Sequence, residues 1–194
     1  MISNLLQNLI GLIDTRFMGM LSVDDSTPLA AVGVGALYFF VLTMIPGGFS
    51  TGTQIIAARR AGEMKHQEIG KLVDNSLLFM TLIGIVLFFL IKFLTPLILP
   101  FAFDSVPVQE QCAKYLNWRS YEFLVTGILM TMVAFQSGIG RTKSVMAAAI
   151  VMTGANLFFN YAFVFGKWGF PAMEIGGAGL ASAISTALGA LVMV

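Results

Sequence analysis

The chain has 194 residues, 57% of them hydrophobic and 11% charged, with a formal net charge of +1 and a mean hydropathy of +0.86. That is too little polar material to clothe a soluble globule of this length, so the composition makes a lipid bilayer the main solvent and partner. A near-neutral balance argues against a nucleic-acid binder, which needs a basic surplus, and the single cysteine, Cys112, cannot form an intrachain disulfide and reads as a small packing residue.

Residues 1–21 form the first apolar segment. They lack the basic start of a secretory signal, and the segment reads as a spanning helix without its first turns. On a helix, Asn4, Gln7, Asn8, Gly11, Asp14 and Thr15 share one face, with Leu5, Leu9, Leu12, Ile13 and Phe17 around the rest. A carboxylate in hydrocarbon turns inward to a partner or a watery cavity and marks a functional site by default. Asp14 is therefore the lead residue.

A second segment covers residues 29–58 and is interrupted by Pro46-Gly47-Gly48, a bend that forms either a hinge beside a cavity or a kinked packing helix. The charged connection Arg59–Glu68 follows, with His66 expected to be solvated. The third segment, residues 69–99, has Lys92 near its far end and Pro96 and Pro100 as its stop. The fourth, residues 112–135, carries Tyr115, Asn117, Trp118, Arg119 and Glu122 in its first turns. Arg119 and Glu122, three apart, pair on one helix face; they are either interfacial and mutually neutralised, or Glu122 faces a cavity and exchanges protons.

Gln136-Ser-Gly-Ile-Gly-Arg-Thr-Lys143 fails the GxxxxGK[ST] phosphate-loop pattern and follows a membrane helix, not a strand. The fifth segment, residues 144–165, sets Asn156 and Asn160 on one face at a spacing of four, and Trp168 and Phe170 follow as interfacial anchors. In the sixth, residues 176–194, Gly177, Ala181, Ser185 and Gly189 form a small-residue ridge that lets another helix approach closely.

Basic residues concentrate in the second-to-third and fourth-to-fifth connections, at Arg59, Arg60, Lys65, Lys71, Arg141 and Lys143. The positive-inside rule places those connections and the N-terminus in the cytoplasm, as expected for a multi-pass protein of the inner membrane. Six spans start and finish inside, and a duplicated copy would be a parallel repeat. The last helix ends without a cap or polar tail, so the chain reads as a fragment of a longer protein.

Asp14, the Asn156/Asn160 pair, and Ser182, Ser185 and Thr186 are the polar points within the apolar segments. A carboxylate, amide oxygens and a hydroxyl are hard ligands suited to sodium or to a proton with water, and competition between protonation and cation binding would give ion coupling. The alternative is that they only hydrogen-bond across helices.

The strings Asn8-Leu-Ile-Gly-Leu-Ile-Asp-Thr-Arg-Phe-Met-Gly19, Gly52-Thr-Gln-Ile-Ile-Ala-Ala-Arg-Arg-Ala-Gly62, Gly138-Ile-Gly-Arg-Thr-Lys143, Asn156-Leu-Phe-Phe-Asn-Tyr-Ala-Phe-Val-Phe-Gly166 and Gly176-Gly-Ala-Gly-Leu-Ala-Ser182 resemble, in order and spacing, the multidrug and toxic compound extrusion (MATE) transporters. The resemblance implies an all-α membrane protein, a six-transmembrane-helix bundle forming the amino-terminal lobe of a two-lobe (6+6) transporter whose carboxy-terminal lobe is missing here. It implies antiport by alternating access, in which H+ or Na+ entry drives export of small organic, often cationic, drugs, with no other cofactor. The family's amino-lobe cation or proton site falls on Asp14, Asn156, Asn160 and Ser182, with Ala178 as a carbonyl donor. Sodium, if bound, would be held by Asp14, Asn156 and Asn160. Asn160 departs from members with an acid at that position. Pro46, Gly47, Gly48, Glu122 and Gln136 are the substrate or gating candidates. The rivals are a lipid-linked oligosaccharide flippase of the same superfamily and a packing-only membrane subunit. No HExxH, GxSxG or paired-aspartate pattern suggests an enzyme.

Overall fold

The computed structural model describes residues 12–20 and 26–193, and among these every regular element is helical. They are α1 (residues 12–20), α2 (Thr27–Gly62), α3 (His66–Ala102), α4 (Val106–Arg119), α5 (Glu122–Gly138), α6 (Thr142–Phe165) and α7 (Ile175–Met193). Asn4, Gln7, Asn8 and Gly11 lie outside the described residues. By length and apolarity α2, α3 (to Phe101), α6 and α7 can each cross a membrane.

α2 shows how the pattern is used. Pro28 sits in its first turn, where a missing N–H leaves no bond broken. Ala31, Val32, Gly35, Phe39, Pro46, Thr53 and Ala57 face inward, whereas Leu37, Phe40, Val41 and Met44 are exposed. α3 likewise turns Phe79, Leu82, Val86, Phe93 and Leu97 outward. Large apolar side chains on the outside are what a lipid-facing bundle presents, because helix association in lipid depends on close packing and not on hiding apolar surface from water.

The expected stop at Pro96 and Pro100 is not a stop, whereas the segment around Pro46 is one helix, as expected. α2 runs through buried Pro46, and α3 continues through Pro96 and Pro100 to Ala102. A proline removes one intrahelical bond, and packing against neighbouring helices carries both helices past that loss. Beyond Gly47, Thr51 donates to the Gly47 carbonyl at 3.0 Å, and Ser50 ties α2 to α5 by donating to the Met130 carbonyl at 3.1 Å.

The fourth expected segment also differs. It begins earlier, at Val106, and is divided at Ser120-Tyr121. Both residues keep right-handed helical backbone, but the amides of Tyr121, Phe123 and Leu124 bond to carbonyls three residues back. The helix therefore tightens to a 3₁₀-like turn here instead of ending. Ser120 Oγ contributes by donating to the Asn117 carbonyl at 2.7 Å. Lys92 reaches the same carbonyl at 3.0 Å and lies over the Tyr121 ring, so its expected reach to the interface is spent on this joint.

Between α2 and α3, Glu63 lies 3.0 Å from both Arg59 and Lys65, and the Lys65 ammonium holds its carboxyl below the usual range. His66 is exposed, as expected.

The main apolar cluster joins Phe17 and Met18 of α1 to Val32, Phe39, Leu87, Ile91, Leu116, Phe123, Val164 and Ala178. A second one joins α5, α6 and α7 through Leu129, Val145, Met152, Ala190 and Met193. The ridge on α7 is buried throughout. A Cβ on Gly177 would fall 2.7 Å from the Phe163 backbone carbon, and one on Gly189 would run into the Met152 side chain. Close approach of α6 and α7 thus depends on missing side chains.

Gly177→Val should accordingly lower the thermal stability of the detergent-solubilised chain by about 1–3 kcal/mol through overpacking. Gly154→Ala, on the exposed face of α6 with open space at its Cβ, should be neutral or stabilise by about 0.5–1 kcal/mol. Equal effects at the two positions in a thermal-shift measurement would contradict this account of the α6–α7 contact.

Candidate functional site

Asp14 is 1% exposed in a region lined by helices from four parts of the chain. α6 presents Asn156 and Asn160 one turn apart. Asn160 Nδ2 donates to Asp14 Oδ1 at 2.8 Å and to Asn156 Oδ1 at 3.1 Å, and Asn156 Nδ2 donates to Asp14 Oδ1 at 3.4 Å. From α7, Ser182 Oγ donates to Asp14 Oδ2 at 2.9 Å and accepts from Asn156 Nδ2 at 3.2 Å. The residues that sequence reasoning singled out on the first, fifth and sixth segments converge on one carboxylate.

The structure adds a partner that was not foreseen. Arg119 of α4 donates from a terminal guanidinium nitrogen to Asp14 Oδ2 at 3.1 Å, with the Arg119 side chain 11% exposed. Tyr115, one turn before it, donates to the same oxygen at 3.5 Å and accepts from Arg119. The guanidinium carbon lies 4.5 Å from the centre of the Phe39 ring, an apolar wall with a negative face toward the cation. The cue in the sequence was Tyr115, Arg119 and Glu122 at helical spacing beside apolar residues, which fits an interfacial helix equally well.

Glu122 completes the line of charge. Its Oε2 lies 3.4 Å from Arg119 Nε, and its Oε1 accepts from Thr186 Oγ1 at 3.2 Å. Thr186 is one turn beyond Ser182, so α7 supplies one hydroxyl to each acid. The pairing of Arg119 with Glu122 matches the sequence reading, but both side chains are largely buried instead of interfacial. Two carboxylates share one guanidinium, which leaves the ionised group with a net charge of −1. Among the described residues, Glu122 Oε2, Arg119 Nε and Asn160 Oδ1 are buried without a hydrogen bond. In a well-satisfied interior such atoms are few.

The other candidates fall elsewhere. Ala178 is buried one turn before Ser182, packed in the main apolar cluster. Gln136 ties helix ends together, donating to the Met193 carbonyl at 3.0 Å and accepting from Ser144. Pro46 is buried within α2. Cys112 is buried in the main cluster, consistent with packing. A separate cavity of about 550 Å³ opens where α2 and α5 end and α3 begins, with His66, Asp74 and Arg141 beside Ile69, Val73 and Phe135.

A bundle of apolar helices wrapped around a buried ionic network defines a membrane protein of the transporter class. Residues 1–162 match the MatE family model, and the chain belongs to that family. It is similar to "Probable multidrug resistance protein NorM" of Thermotoga maritima, 28% identical over 187 residues that make up 96% of this chain and 40% of that protein. The protein of the same name from Burkholderia mallei is 28% identical over 196 residues, 100% of this chain and 41% of its own length. Among solved structures, "Crystal structure of MATE in the bent conformation" superposes with a TM-score of 0.84 at 21% identity, covering 97% of this chain and 40% of that one. "Inward-facing conformation of a multidrug resistance MATE family transporter of the MOP superfamily" gives 0.84 at 21% identity over 96% and 41%. The chain thus has the fold of roughly one lobe and spans about 40% of the length of these relatives. Members of the family are transporters, not enzymes.

The network makes a thermodynamic prediction. Asp14→Asn and Arg119→Gln should each destabilise the detergent-solubilised chain, by up to about 3–5 kcal/mol for a bared buried charge. Asp14→Asn should cost less than that limit, because Glu122 stays beside Arg119. The double variant should lose less than the sum, with a coupling energy of roughly 0.5–3 kcal/mol. Simple additivity in thermal unfolding would mean that the two groups do not interact.

Proposed function

We propose that this chain is the amino-terminal lobe of a cation-coupled antiporter of the inner membrane, exporting small organic, often cationic, drugs by alternating access against a companion lobe. The observation that carries this reading is the Asp14 carboxylate, buried among apolar helices and met by Asn156, Asn160 and Ser182. Inside a membrane bundle such a group marks an ion or proton pathway, and its neighbours on α1, α4, α6 and α7 can feel its occupancy at once. The fold and the names of the relatives support transport of multidrug type. With the N-terminus in the cytoplasm, the basic connections around Arg59 and Arg141 fall on the cytoplasmic side.

In this reading Asp14 is the coupling carboxylate for H+ or Na+, Asn156 and Asn160 orient it, and Ser182 completes its shell, with the Ala178 carbonyl one turn away. Pro46-Gly47-Gly48 within α2 and the helix-end contacts of Gln136 belong to the moving frame. A flippase of the same superfamily would need basic side chains free to meet a pyrophosphate; Arg119 is engaged by two acids, which favours the drug antiporter.

The test is efflux of a cationic dye from proteoliposomes carrying this lobe joined to its companion. Asp14→Asn should abolish gradient-driven efflux while leaving membrane insertion normal. Unchanged efflux would make Asp14 a structural residue and refute the coupling role.

A further inference from the structure

The guanidinium beside Asp14 is a permanent charge, since arginine does not lose its proton in proteins. It sits on Asp14 Oδ2, one of the two oxygens the carboxylate could offer a metal ion, and Ser182 donates to the same oxygen. Oδ1 accepts from both asparagine amide nitrogens. Turning the two amides over would offer oxygens to a cation, but no rotation makes an acceptor of Arg119. A sodium ion needs several oxygen ligands and would lie against a fixed positive charge.

The surplus negative charge is at the other end of the line. Glu122 is met by Thr186 through Oε1, and its Oε2 has no hydrogen bond among the described residues. Among the described residues, the charged or titratable groups that bear on it are Arg119 of α4 and Asp14 of α1; α7 contributes the Thr186 hydroxyl, and Phe39 of α2 covers the guanidinium. One carboxylate and one hydroxyl are a poor cage for a metal, whereas a proton needs a single oxygen. A proton on Glu122 brings the three-residue line to neutrality and leaves Arg119 wholly to Asp14.

We propose that Arg119 is a tethered cation that closes the Asp14 site to sodium, so that the coupling ion of this lobe is a single proton taken up at Glu122. The proposal rests on the coupled-transport reading and specifies its ion. Arg119 acts as the specificity-determining residue and Glu122 takes up the proton, while Asp14 couples through its charge: without it Arg119 and Glu122 already balance and no proton is called for.

The first test is binding of radioactive sodium to the purified chain in detergent. The wild-type chain should show no saturable sodium binding. Arg119→Gln should acquire it, with affinity raised at least about tenfold as expected for removing a neighbouring like charge, and Asp14→Asn in that background should abolish it again. Saturable sodium binding by the wild-type chain overturns the proposal, whatever the variants do. The second test needs no change at Arg119: infrared difference spectra taken across a pH interval above the range in which exposed carboxylates titrate should contain the carbonyl stretch of one newly protonated carboxylic acid, lost in Glu122→Gln. Persistence of that band in Glu122→Gln also overturns the proposal. Unchanged efflux in Asp14→Asn, with both of these results as expected, would instead refute the coupling reading and leave the ion selectivity standing.

Discussion

A carboxylate held away from water must be answered by the protein, and the answer to Asp14 organises this lobe. Donors reach it from α4, α6 and α7. Each donor fixes the rotation of the helix that carries it, because a turn of a few tens of degrees would withdraw the group. The close seam between α6 and α7 along Gly177 and Gly189 is what brings Asn156 and Ser182 within 3.2 Å of each other. Packing and electrostatics are therefore one constraint: a bulkier ridge on α7 would open the polar shell as well as the apolar contact.

Much of this was legible in the sequence because it depends on local rules. Asp14 stood out as an acid in an apolar run, the asparagines by their spacing of four, and the ridge on α7 by its recurring small residues. Those features belong to single helices. What was not legible depends on the approach of distant segments. Arg119 lies 105 residues from Asp14, and nothing in its own helix distinguishes a guanidinium at an interface from one turned inward. Glu122 was ambiguous for the same reason. Prolines misled in the opposite direction: Pro96 and Pro100 are breakers by local chemistry, yet the surrounding bundle carries α3 past them.

The apparent loss of an acid at Asn160 also looks different in three dimensions. The sequence suggests a site one carboxylate short. The structure has a second carboxylate, Glu122, on a different helix and separated from the first by a guanidinium. Counting charges over the whole network, not along one helix, gives the balance that any coupling ion would meet.

The tightened turn at Ser120-Tyr121 lies between Arg119 and Glu122, the two members of that network contributed by neighbouring helices in the chain. A 3₁₀ turn advances about 120° per residue against about 100° in an α-helix. Each residue that relaxes from one winding to the other therefore twists α5 relative to α4 by roughly 20°. Since Glu122 is the first residue of α5, that twist would swing its carboxylate around the helix axis and away from the guanidinium. A change in the winding of two residues would thus be enough to decide whether Glu122 shares a cation with Asp14.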